Sequence, residues 1–193
     1  MKKIILLLAI FALGGLTAII AFDGMSESME NDMLVKKSDI GKEEIIIIEN
    51  KQNEKIGTVL LKQGATGVLL EVDVKGLPKG KHGMHFHKQS ICDGTMGFKT
   101  AKGHIAMNKK PSGYLNLDGG PHEGNLPNLI VQNDGTAHVE LYSEMVSFFG
   151  NEKQPALFDA DGSAIMIHIN EDDHMAQPIG GLGARIACGV IKK

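Results

Sequence analysis

The chain has 193 residues, enough for one domain and a tail, and its 42% hydrophobic fraction supports an ordinary globular core. With no tryptophan, 5% aromatics and 24 glycines, it suits short strands joined by many turns better than a helical bundle. A formal net charge of -3 excludes the basic footprint expected of a nucleic-acid binder.

The first element is a leader. Met1-Lys2-Lys3 precedes an uncharged apolar run from Ile4 to Phe22, bounded by Asp23, which is the pattern of an export signal. The run approaches the ~20 residues that span a bilayer, so residues 1–21 read as a signal peptide or as an uncleaved N-terminal anchor, the only expected contact with a membrane. Their removal takes away two lysines and no acid, moving the net charge from -3 to -5. No cysteine precedes Cys92, which excludes a lipoprotein. The expected location is periplasmic or secreted.

Residues 22–42, including "DGMSESMENDMLVKKSDIGK", are polar and read as a flexible linker. Within them Met25, Met29 and Met33 recur every four residues. A transient helix would align three thioethers, soft ligands suited to Cu(I). The plainer reading is a tail with incidental methionines.

From Glu43 the pattern is β, and residues 43–193 read as one domain. "IIIIE", "GTVLLKQ", "GVLLEVDV", "GMHFH", "PNLIV", "AHVELY", "SAIMIHI" and "ARIACGV" are eight short aliphatic runs separated by Gly, Asn, Asp, Pro or Lys clusters. In "GVLLEVDV", Val68, Leu70, Val72 and Val74 share one face and Glu71 and Asp73 the other, as antiparallel strands with one wet side require. The expected fold is all-β, an eight-stranded antiparallel sandwich or flattened barrel.

The same alternation sorts the histidines. On "GMHFH", Met84 and Phe86 face one side while His85 and His87 face the other, with Cα atoms ~6.7 Å apart. On "SAIMIHI", His168 opposes Ile165, Ile167 and Ile169. His104 opens a long loop that ends near His122. His138 alternates with Glu140 and Tyr142 on a polar face, and His82 and His174 read as surface residues.

"HGMHFH", "AKGH", "GPHEGNLPNL", "IMIHINEDD" and "GARIACGVI" resemble the copper/zinc superoxide dismutases in order, spacing and flanking residues, over about residues 43–191. The resemblance implies a Greek-key β-barrel with long metal-binding loops. It also implies an oxidoreductase that converts superoxide to O2 and H2O2 by cycling Cu(II) and Cu(I). Carried over motif by motif, it makes His85, His87, His104 and His168 the copper ligands, with His104 also the bridge to zinc. Arg185 becomes the guanidinium that attracts and orients the anion. By charge alone, Lys88, Lys102, Lys109 and Lys110 are open to two readings, an addition to that field or simple solubilising residues. Cys92 pairs with Cys188, and Asp172 is the carboxylate that orients metal-binding histidines.

Zinc departs from the pattern. Alignment places Ser112 and Asn125 where the family has a histidine and an aspartate, leaving His104 and His122, with Asp118 nearby as a substitute. Such a set is a poor zinc site, so the resemblance implies copper and leaves zinc open, down to a copper-only dismutase. A copper-buffering protein on a dismutase scaffold is the alternative function. Monomer and homodimer both stay open.

Overall fold

The computed structural model describes residues 35–107 and 110–193. The apolar leader, Met25, Met29, Met33 and Lys109 lie outside the described residues. Among the described residues there is no α-helix, only three 3-10 turns and nine strands. These are β1 (Glu43–Asn50), β2 (Lys55–Gln63), β3 (Val68–Val74), β4 (Gly80–His82), β5 (Met84–His87), β6 (Leu129–Val131), β7 (Ala137–Ser143), β8 (Ser163–His168) and β9 (Arg185–Ile191). All eight runs read from the sequence are strands. The ninth, β4, is three residues long, too short for its alternation to register.

Seven strands form one curled antiparallel sheet in the order β5-β8-β9-β1-β2-β3-β7, and β4 pairs with β6 beside it. Register follows from which side chains are apolar. Val59 opposes Val72 and Leu61 opposes Leu70, and all four are fully buried, so a slip by one residue would turn them to water. The core also takes Ile48, Phe86, Leu126, Leu129, Phe148, Leu157 and Ile165.

Residues 35–42, which the sequence assigns to the linker, are in contact with the domain. Val35 and Asp39 are buried, Lys42 pairs with Asp39 at 2.6 Å, and the backbone of Gly41 and Lys42 bonds that of Gln63.

A second apolar cluster lies away from the main core, where Phe98, Ala101, Ala164, Met166 and Cys188 pack with Cys92. Here Cys92 and Cys188 form a disulfide, with Cα atoms 5.7 Å apart across 96 residues of sequence. The bond ties the loop after β5 to β9. Closing so long a loop restricts the unfolded chain by about 4 kcal/mol. The double variant Cys92→Ser/Cys188→Ser is therefore expected to melt about 10 °C lower in a thermal scan. An unchanged Tm would mean that the link adds nothing to the fold.

Candidate metal centre

Strand β5 places the first two histidines. Met84 and Phe86 enter the main core, so His85 and His87 turn to the opposite face. They do not reach solvent as the alternation alone suggests. Long loops cover them, and His85 and His87 are 0% and 1% exposed.

Backbone pairing brings the other two rings to the same place. Next to β5 in the sheet, β8 ends at His168, whose N–H bonds the Gly83 carbonyl at 2.9 Å. The pairing of β8 with β9 shifts between Ile167 and His168, which sets His168 opposite Arg185. Gly103 to Ile105 returns alongside β5, with Lys88 N–H bonding the Gly103 carbonyl and Ile105 N–H the Phe86 carbonyl, so His104 pairs with His87. Gly124 adds a further rung by accepting the Phe86 N–H. A Cβ on Gly124 would lie 2.4 Å from the Phe86 oxygen, so only glycine lets this loop approach.

The result is a cluster of four buried imidazoles. Ligand nitrogens of His85, His104 and His168 all lie within 4.8 Å of one another. The His87 ring centre is 5.2 Å from that of His104 and 5.8 Å from that of His168. Two tautomers follow from the hydrogen bonds. His85 donates Nε2–H to Asp172 Oδ2 at 2.8 Å, which leaves a lone pair on Nδ1. His87 donates Nδ1–H to the Lys102 carbonyl at 2.9 Å, which leaves one on Nε2. Those two lone pairs are buried with no hydrogen-bond partner among the described residues, while the buried His168 ring meets the Gly183 backbone through one nitrogen and leaves the other without a partner. Convergent, unsatisfied imidazole nitrogens are costly without a cation to share them, and nitrogen-only ligation suits copper.

Arg185 sits at the edge of this cluster. Its Nη1 donates to the Phe98 carbonyl at 2.6 Å and its Nη2 to the Lys102 carbonyl at 2.5 Å. The Lys102 oxygen thus serves both the guanidinium and His87, joining Arg185 and the imidazole through one atom.

These features meet a matching family. The family described as copper/zinc superoxide dismutase (SODC) matches residues 55–191, well over half of the chain. The chain belongs to the copper/zinc superoxide dismutase family. It is 45% identical to a copper-zinc superoxide dismutase of Caulobacter vibrioides, over 76% of this chain and 83% of that one. A second such protein, from Aquifex aeolicus, is 38% identical over 75% of this chain and 85% of its own. Among solved structures, a SOD-like protein from Bacillus subtilis superposes with a TM-score of 0.71 at 30% identity, over 76% of this chain and 97% of that one. Family and relatives make the chain a superoxide dismutase, an oxidoreductase that uses copper, and do not favour the buffering alternative.

The zinc side of this dismutase is different in kind. Ser112 and Asn125 are buried and bonded to each other, Oγ–H to Oδ1 at 3.0 Å, and the same Oδ1 accepts the His122 N–H at 3.2 Å. His122 donates Nε2–H to the Lys110 carbonyl at 2.7 Å, and its ring centre lies 6.0 Å from that of His104. Asp118, the expected substitute, is exposed; its N–H bonds Asn116 Oδ1, and no metal-binding group among the described residues contains it. What remains is two imidazoles, a hydroxyl and a neutral amide whose oxygen already accepts two hydrogen bonds. Two imidazoles with no third histidine, carboxylate or thiolate fall short of the three or four strong ligands that zinc takes, so this set does not fit zinc.

Two histidines assigned to the surface lie elsewhere. His82 is 2% exposed, and its ring bridges the carbonyls of His168 at 2.8 Å and Pro78 at 2.7 Å, so it supports the backbone of a cluster histidine. His174 rests edge-on against Tyr114 and beside Asp172. His138 is exposed, as expected.

Burial is the main reason that the four clustered histidines all have lowered pKa values. His85 is lowered by burial against the pull of Asp172, and His87 falls well below the usual range through burial and then Arg185. His104 is lowered by burial and by its imidazole neighbours, and His168 falls to about 3 through burial, His85 and Arg185. The rings are therefore neutral and ready to donate lone pairs. For the metal-free protein the unfolded chain then binds more protons than the folded one between about pH 3 and the ordinary histidine value. Stability is complete above ~pH 6.5 and drains away as the pH falls. Melting of copper-free protein should drop by at least ~5 °C between pH 7 and pH 4. A flat Tm across that window would contradict the buried neutral rings.

Proposed function

We propose that His85, His87, His104 and His168 hold the catalytic copper of this dismutase, with Arg185 as the anion guide and no zinc required. The single observation that carries this is the convergence of unsatisfied nitrogens from four buried imidazoles beside a fixed guanidinium. Bound copper supplies the one-electron couple, Cu(II)/Cu(I), that accepts an electron from one superoxide and passes it to a second.

The chain's own residues do the rest. The strand-mounted pair His85 and His87, locked by Asp172 and the Lys102 carbonyl, resists rearrangement when the oxidation state changes. With no zinc to claim its second nitrogen, His104 would keep a proton on whichever ring nitrogen the copper leaves free. Arg185, with both nitrogens anchored on carbonyls, presents a fixed positive charge to a small anion approaching an acidic protein. Two protons from solvent complete the peroxide.

Residues 1–21 direct export to the periplasm or beyond, as a cleaved signal or a retained anchor, and residues 35–42, read as linker in the sequence, belong with the domain they pack on. Full-length protein loaded with copper in zinc-free buffer should carry one copper per chain and remove superoxide faster than the same amount of free copper. Activity no higher than that of free copper would overturn the proposal.

A further inference from the structure

The poor zinc site raises a physical question. A zinc ion in this family position would join the loop after His104 to the carboxylate behind His85; here something else must make that join.

The loop is gripped at four points by the segment that carries Asp172. Gln177 clamps Ser112 in both directions, accepting its N–H at 3.1 Å through Oε1 and donating Nε2–H to its carbonyl at 2.6 Å. Leu115 N–H bonds the His174 carbonyl at 3.1 Å. Tyr114 packs on the His174 ring at 5.1 Å and donates its hydroxyl to the Asn125 carbonyl at 3.0 Å. Gly113, with φ of 124°, passes so close that a Cβ there would lie 2.1 Å from the His174 oxygen.

The same segment fixes the carboxylate. Asp172 is 3% exposed, and while its Oδ2 holds His85, its Oδ1 accepts the His174 N–H at 2.7 Å. The His174 backbone is left-handed, with φ of 61°, and its Nδ1 lies 3.5 Å from the same oxygen. Asn128 closes the far side, accepting the Asp172 N–H and donating to its carbonyl, both at 2.8 Å. A chain of contacts therefore runs from Tyr114 and Leu115 through His174 to Asp172 and His85, and Gln177 joins Ser112 to the same segment, where it also donates to the Met175 carbonyl at 3.0 Å.

We propose that Gln177 and His174 are positioning residues that replace zinc: they pin the loop of residues 110–125 to Asp172 by hydrogen bonds, and so set the orientation of His85 at the copper. The inference rests on the copper assignment above. It predicts a dismutase whose loop is ordered, and whose copper is correctly held, in the complete absence of zinc.

The test uses the full-length copper-loaded chain and three readouts: zinc content after equilibration with zinc, hydrogen exchange across 110–125, and the Cu(II) paramagnetic resonance spectrum. The parent should retain no zinc and show protected loop amides. Gln177→Ala, at an exposed position that leaves the core intact, and His174→Asn, which keeps a residue tolerant of the left-handed backbone, should each raise loop exchange at least ~10-fold and shift the copper spectrum. Adding Ser112→His and Asn125→Asp to Gln177→Ala should create a zinc-dependent form in which zinc restores both protection and spectrum. The proposal is overturned if the parent holds a stoichiometric zinc, if both single variants match the parent in exchange and spectrum, or if zinc restores neither in the triple variant. Superoxide decay is read separately, so a failed dismutase assay with the exchange pattern intact would refute the copper chemistry and leave the clamp standing.

Discussion

Substituting His168→Gln should strip the protein of copper and slow superoxide removal by at least ~100-fold relative to the parent. Losing a group that merely orients a metal ligand costs roughly 10–100-fold, so losing one of the proposed ligands costs more. His168 is the severest choice because its buried ring keeps a nitrogen without a hydrogen-bond partner beside those of His85 and His104, while the Gly183 backbone takes the other. It also ends β8, where the shifted pairing aims it beside Arg185. The matched control is His138→Ala on the exposed face of β7, which should keep both copper and activity. Copper content by elemental analysis and superoxide decay by direct spectrophotometry check the pair. Full copper and full activity in the His168 variant would remove this residue from the site.

The second large effect belongs to Arg185. Arg185→Ala should lower kcat/KM about 10- to 100-fold while copper stays bound, because a local positive field raises the encounter rate of a small anion by that order. The rate of the parent should fall as salt is added, and that of the variant should respond much less, since screening has less local charge to act on. Arg185→Lys should fall between the two. It keeps the charge but not the planar fork that spans the Phe98 and Lys102 carbonyls. Because Lys102 also holds His87, metal analysis of each variant separates lost guidance from lost copper. A kcat/KM equal to the parent's with unchanged salt dependence would refute the role.

The parts of this molecule that were legible in its sequence are those governed by short-range periodicity. Alternation in "GVLLEVDV" and "GMHFH" marks strands and tells which side chains face the core, because successive residues on a strand must point oppositely. It correctly set Met84 and Phe86 against His85 and His87. It failed on exposure: alternation says which face a side chain takes but not what covers that face, and loops from elsewhere in the chain bury all four histidines. His82 was missed for the same reason. Its ring partners lie at Pro78 and, 86 residues away, His168, on a strand too short to show a pattern.

The zinc side shows the limit from the other direction. Loss of the ligand types at Ser112 and Asn125 is visible by resemblance, but their mutual hydrogen bond is not, nor is the exposed position of Asp118 outside the cluster. Gln177 grips Ser112 across 65 residues of sequence, between two loops without periodicity, and a glutamine in a loop announces nothing by itself. By sequence alone His174 reads as an ordinary surface histidine. Only the left-handed backbone that folds it against Asp172, a property of the assembled loop, reveals its place.

The most direct measurement is anomalous X-ray diffraction from crystals of the copper-loaded chain, recorded on both sides of the copper and zinc absorption edges. The account predicts one copper peak within bonding distance of His85 Nδ1, His87 Nε2, His104 and His168, and no zinc peak between His104 and His122. Copper bound elsewhere, or bound by fewer than three of these rings, would contradict it.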